Sequence, residues 1–127
     1  MKTAKSPHDH LLRASRLLLA AGACLHLVTA IFLGEGNGAF RVALCAWSLA
    51  PYLLLAAVLQ RRGGAGISLL AGAALMLLLD AATFWSVFVA PQSSTAALGL
   101  LFAPLLKLFC IAPLSIAAEA WLGRQRR

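Results

Sequence analysis

Four long stretches of the chain are almost free of charge, and that property decides which solvent the protein can fold in. Leu17 to Gly34 holds no Lys, Arg, Asp or Glu, nor does Val42 to Gln60, nor Gly63 to Leu79, and an apolar stretch continues beyond Asp80. A fourth apolar region begins after the segment from Ala90 to Thr95 and runs to about Leu122, interrupted by Lys107 and Glu119. About 20 residues of helix cross a hydrocarbon core, and backbone groups in lipid must find their partners within the segment. The pattern predicts an all-α integral membrane four-helix bundle with helices near 11–33, 39–60, 65–90 and 95–121. Composition agrees: 61% of the 127 residues are hydrophobic and 12% charged, against roughly 45–50% apolar in soluble domains. One domain of this length could not hide that surplus internally, so lipid must cover it.

The breaks between the runs carry turn chemistry: "GEGNG" from Gly34 to Gly38, "RRGG" from Arg61 to Gly64, and "PQSST" from Pro91 to Thr95. Pro91 ends one helix, and Ser93 or Ser94 is placed to cap the next. Positive charge sets the orientation. Lys2, Lys5, Arg13 and Arg16 flank the first run, Arg61 and Arg62 lie in the second loop, and Arg124, Arg126 and Arg127 form the tail, whereas the first and third loops offer only Arg41, near Glu35. The positive-inside rule then places both termini in the cytoplasm, as short basic tails on a single domain spanning residues 1–127 of the inner (cytoplasmic) membrane. The net charge of +7 reads as topology and contact with anionic headgroups, not nucleic-acid binding, because no aromatic residues interleave the "RQRR" tail. Small residues ahead of Cys24 resemble a lipoprotein cleavage site, but the apolar run continues past it, so the first helix is expected to be retained. Cys24, Cys45 and Cys110 form no CxxC and read as buried small hydrophobes.

Polar residues inside the spans carry the information. A carboxylate at a helix centre costs about 2.5–3.5 kcal/mol on insertion scales, so Asp80 needs compensation. Counted from the outer loop, Asp80 lies roughly 15 Å deep on the third helix and Lys107 roughly 18 Å deep on the fourth. A short loop makes these helices antiparallel neighbours, which brings a Lys107–Asp80 ion pair within reach of the flexible lysine stem. Ser68, Gly72, Met76, Asp80 and Thr83 share one stripe of the third helix, and Ser15, Gly22, His26 and Thr29 share one of the first. The small residues at 68 and 72 admit a close helix neighbour. The candidate intramembrane polar site is therefore Asp80, Lys107, His26 and Thr83. The plainer reading, a structural ion pair with a neutral His26 bonded to a neighbouring helix, ranks ahead of transport or ligand binding. Trp47 and Tyr52 lie deep enough that the indole N–H and phenol O–H need partners. Glu119 is expected to snorkel or pair with Arg124, and Phe84, Trp85, Phe88 and Trp121 to anchor at the interfaces. Pro51, Pro104 and Pro113 are expected to kink their helices, and the carbonyls freed at Leu100 and Phe109 are possible acceptors for Lys107.

The run "DAATFWSVFVAPQSSTAALGLLFAPL", with "WSLAPYLLL" upstream, resembles small bacterial inner-membrane proteins in which an acidic third helix is followed by a "PQSSTA" turn and a Pro-containing fourth helix. The resemblance implies a bacterial origin and four helices, and no activity. Small multidrug transporters share the size but keep their essential acid in the first helix, where this chain has none. Their dual topology also conflicts with the strong charge bias here. No phosphate loop, nucleophile–base set or metal-ligand pair occurs, His8 and His10 are not at a depth to share a haem with His26, and no cofactor or catalytic residue is expected. The expected function is a non-catalytic accessory or assembly subunit of a larger membrane complex, or a homo-oligomer. A small ion- or proton-coupled transporter or pore built on the Asp80–Lys107 pair is the alternative.

Overall fold

A computed structural model describes residues 7–33, 36–62, 66–90 and 98–125. Its four helices are each long and apolar enough to cross a membrane. Helix α1 is α-helical over Pro7–Val28 and ends in a π-helical turn, Thr29–Leu33. Helix α2 is Gly38–Arg62. Helix α3 runs through Ile67–Phe84 into a π turn, Trp85–Val89. Helix α4 comprises Leu98–Leu106, a π turn at Lys107–Ile111, and Ala112–Gln125. The boundaries follow the charge gaps, with two corrections. Helix α1 starts early enough to take Asp9 and His10 into its first turn, and α4 continues past 121 to Gln125. The "PQSSTA" turn, its proposed serine caps, Glu35 and the outermost tail charges lie outside the described residues.

Local chemistry explains the starts. Asn37 caps α2 by accepting from the Phe40 N–H at 2.8 Å, which satisfies one of the donors a helix N-terminus leaves open. Gly36 just before it has φ +108°, a conformation glycine adopts without a Cβ penalty. At the other end of the bundle the Glu119 carboxylate lies against Gly66, where α3 begins and any side chain would collide. Glu119 thus meets the positive end of a helix dipole instead of Arg124, and its Oε2 has no hydrogen-bond partner among the described residues.

The helices form a ring in the order α1, α2, α4, α3. Helix α1 packs on α2 and α3, α4 packs on α2 and α3, and the α2–α3 pair barely touches across the diagonal. Gly22 of α1 faces Tyr52 of α2, and Gly72 of α3 faces Ser115 of α4. These are the close approaches that small residues permit between membrane helices. Gly72→Ala is expected to lower thermal stability in detergent by about 1–3 kcal/mol through overpacking. Adding Ser115→Gly should relieve part of that loss, since the new methyl would meet the Ser115 side chain.

The exterior is apolar, unlike that of a water-soluble bundle, and charge lies inside. Lys107 is 0% exposed, while Phe32 is 77%, Val42 71%, Leu114 69% and Phe109 68% exposed. Cys24 and Cys110 are also on the exterior, correcting the expectation that they are buried; in a ring of only four helices, most of each helix's circumference faces outward. Trp85 and Trp121 are exposed as anchors would be. Pro51 and Pro104 sit inside unbroken helix, and Pro113 opens the second α segment of α4. The buried apolar layer, Leu19, Leu55, Leu59, Leu69, Ala73, Met76, Ile111 and Ala112, lies toward the end holding Arg16, Arg62 and Arg124.

Candidate functional site

Each helix delivers one polar side chain to a single buried point: His26 from α1, Tyr52 from α2, Asp80 from α3 and Lys107 from α4. Their Cα heights differ, and side-chain direction explains how they meet. Counted from the Arg41-end terminus of each described helix, His26 lies roughly 10 Å deep, Asp80 and Lys107 roughly 14 Å, and Tyr52 roughly 21 Å. Helical side chains tilt toward the N-terminus of their own helix. Helices α2 and α4 start at the Arg41 end, so Tyr52 and Lys107 reach back toward it. Helices α1 and α3 start at the opposite end, so His26 and Asp80 reach deeper.

Asp80 is the hub. Lys107 Nζ donates to Asp80 Oδ1 at 2.6 Å, the Tyr52 hydroxyl donates to Oδ2, and His26 Nε2 lies 2.9 Å from the same Oδ2. The ammonium also sits 4.9 Å from the Tyr52 ring centroid, a cation–π distance, and the His26 and Tyr52 rings meet edge to face at 5.8 Å. Asp80 and Lys107 are almost completely buried; His26 retains 11% side-chain exposure. Burial of opposite charges is tolerable when geometry is good and the remaining lone pairs are satisfied. Here two donors, Lys107 and Tyr52, and the His26 ring nitrogen surround one carboxylate.

Of the four candidate residues, Asp80, Lys107 and His26 come together, and Thr83 stays outside their hydrogen-bonded group. Its hydroxyl donates to the Leu79 carbonyl of its own helix at 2.8 Å, the usual outlet for a threonine in mid-helix. Lys107 bonds Asp80, not the proline-freed carbonyls of Leu100 or Phe109. The indole of Trp47 donates to the Leu101 carbonyl at 3.3 Å. Tyr52 is the member that stripe-reading missed. The signal for it was its depth, which leaves the phenol O–H in need of a partner. Tyr52→Phe keeps the ring and removes the donor; about 1.5–3 kcal/mol of thermal stability in detergent should be lost, as for a hydrogen bond to a charged group.

One contact is over-subscribed. His26 Nε2 lies 3.1 Å from Lys107 Nζ as well as 2.9 Å from Asp80 Oδ2. With a lone pair on Nε2, the imidazole accepts from the ammonium but turns that lone pair toward the carboxylate. With a proton there, it donates to Asp80 but faces the ammonium. A single Nε2 position holds either one proton or one lone pair, so it serves one of its two neighbours at a time.

Comparison of the chain with protein-family models, curated proteins and solved structures found no match. The geometry must carry the functional reading. Among the described residues no group of three or more His, Cys, Asp or Glu is placed to hold a metal ion.

Proposed function

We propose that the chain is a multi-pass protein of a bacterial inner membrane with both termini cytoplasmic, acting without catalysis as an accessory or assembly subunit or as a homo-oligomer. The observation that carries this reading is the buried tetrad: one polar residue from each helix, meeting inside an otherwise apolar bundle. Such an arrangement fixes the mutual register of four spans, because sliding α3 or α4 by one turn would leave a charge without its partner, and sliding α1 or α2 would leave a buried polar group without its own, in a low-dielectric interior. The exposed apolar exterior supports insertion in lipid. Arg13, Arg16, Arg61, Arg62 and Arg124 at one end, against Arg41 at the other, support the stated orientation. Native mass spectrometry after gentle detergent extraction is the direct test: defined copies of the chain, or a stoichiometric partner chain, are expected. A lone chain with neither would overturn the subunit reading.

A second reading is favoured by the shared Nε2 contact. In an ion- or proton-coupled transporter, Asp80 would loosen its hold on Lys107 when protonated. That reading needs a titratable carboxylate, so proteoliposome flux that survives Asp80→Asn undiminished would remove it.

A further inference from the structure

We infer that the outer seam between α1 and α2 is a binding site for one anionic phospholipid, its phosphate held by Arg16 and Gln60 and one acyl chain lying in a furrow that ends at Tyr52. This rests on the membrane-spanning reading above and is independent of the subunit role. The furrow follows from small side chains. Ala20 and Ala23 of α1 and Ala56 of α2 line one cavity of about 280 Å³, because a methyl group is too short to close the space between helix axes about 8–10 Å apart. Leu19, Leu53 and Leu59 complete its apolar walls. Ala20 and Leu53 are exposed, so the furrow opens sideways on the exterior of the ring, where lipid lies.

Dimensions select the occupant. Gln60 at the mouth and Tyr52 at the inner end stand roughly 12 Å apart along α2, comparable with the roughly 15 Å of hydrocarbon in one leaflet. Over that length the cavity has a cross-section on the order of 20 Å², about a quarter of what a helix about 10 Å across occupies. An extended hydrocarbon chain fits, and a helix of a partner protein does not. Leu49 walls both this furrow and a second hollow of about 510 Å³, lined also by Leu27, Cys45 and Ala46. The end of a long chain therefore has apolar room beyond Tyr52.

Charge fixes the head. Lipid tails gain little by exchanging the bilayer for a leucine surface, so preference for one lipid must come from the mouth. Arg16 offers a planar fork of N–H donors that matches phosphate geometry, and the Gln60 carboxamide adds N–H donors of its own; both line the cavity and both are exposed. Arg13, Arg61 and Arg62 stand at the same end of the bundle, and their field favours a headgroup of net negative charge over a zwitterionic one. At the inner end the acyl chain meets Tyr52, whose hydroxyl is bonded to Asp80. The lipid thus packs on the tetrad from outside and leaves its polar contacts intact.

Native mass spectrometry from nanodiscs of equal phosphatidylglycerol and phosphatidylcholine tests the head. One phosphatidylglycerol should be retained per chain, and Arg16→Gln with Gln60→Leu should lower its retention about tenfold, the loss of a charge-assisted hydrogen bond. Arg13→Gln removes the same charge outside the furrow and should change nothing. Equal loss in Arg13→Gln, or equal retention of phosphatidylcholine, would reduce the site to general surface attraction and overturn it. Ala20→Leu with Ala56→Leu fills the furrow with Arg16 intact, and retention should again fall about tenfold at unchanged helix content. Tyr52 is the only tyrosine, so incorporated meta-fluorotyrosine gives one fluorine NMR signal beside the acyl chain. Phosphatidylglycerol with a nitroxide on that chain should broaden it, and broadening that persists in Ala20→Leu with Ala56→Leu would place the lipid elsewhere. A stoichiometric protein chain crosslinking at positions 20 and 56 would put a partner helix there and equally overturn the lipid. In a chain carrying Cys24→Ala, Cys45→Ala and Cys110→Ala, Asn37→Cys and Gln125→Cys, labelled with an impermeant maleimide, report the topology. Labelling from one shared face defeats the membrane-spanning reading and the inference with it; labelling from opposite faces with no lipid retained overturns the inference alone.

Discussion

Lys107→Met alone is expected to destabilise the protein by about 3–5 kcal/mol, the range for removing one partner of a buried ion pair. The cause is the carboxylate left behind more than the bond lost. Asp80 would keep the Tyr52 hydroxyl and the His26 ring, but no fixed cation would oppose its charge. Asp80→Asn should be milder, because an amide still accepts from Tyr52 and leaves an ammonium stacked on the Tyr52 ring. In the double variant, Asp80→Asn with Lys107→Met, no full charge remains between α3 and α4, and a neutral pair packs without the desolvation cost. Most of the stability lost in Lys107→Met should return, giving a coupling well outside additivity. Chemical or thermal unfolding in one detergent, across the four chains, measures it. A double variant as unstable as the sum of its parts would mean that the pair is not electrostatically coupled.

Gly22→Val should cost about 3 kcal/mol, the upper end of overpacking in a well-filled core. A Cβ at position 22 would fall on the Tyr52 ring. Collisions with long side chains are usually relieved by rotation, but this ring is held at its far end by the Asp80 carboxylate and flanked by His26 and Lys107. Moving it dismantles the tetrad, so the steric penalty and the polar one arrive together. Gly99 offers the control: a Cβ there meets only the Thr83 methyl at 3.4 Å, ordinary contact, and Gly99→Ala should leave the melting temperature nearly unchanged. Equal effects at 22 and 99 would show that helix propensity, not the Tyr52 contact, governs both.

Charge gaps and depth counting made much of this architecture readable from the sequence, and the misses share a cause. Counting residues at 1.5 Å each gives height along a span, which is why Asp80 and Lys107 could be matched before any coordinates. It gives no rotation about the axis relative to a helix elsewhere in the ring. Thr83 sits on the Asp80 stripe yet bonds within its own helix, and Tyr52, whose Cα lies about one turn deeper than Asp80, belongs to the group because its ring points back toward the start of α2. Ring order was equally hidden: short loops suggest neighbours, which holds for α1 with α2 and α3 with α4, but α2 and α3 stand on a diagonal. Cys24 and Cys110 face outward, contrary to expectation, because an apolar run does not say which of its residues face the bundle and which its exterior.

On the membrane-spanning reading proposed above, the ring order also bears on how such a chain would enter a bilayer. Helices α1 and α2 contribute the two groups that need no fixed charge, a histidine and a tyrosine, while α3 and α4 contribute the acid and the base that cancel. Each successive helical hairpin is therefore electroneutral at its core before the two have met. Insertion would then proceed by halves, in keeping with separate formation and later docking of membrane helices, and no intermediate of assembly would be obliged to hold a naked charge in lipid.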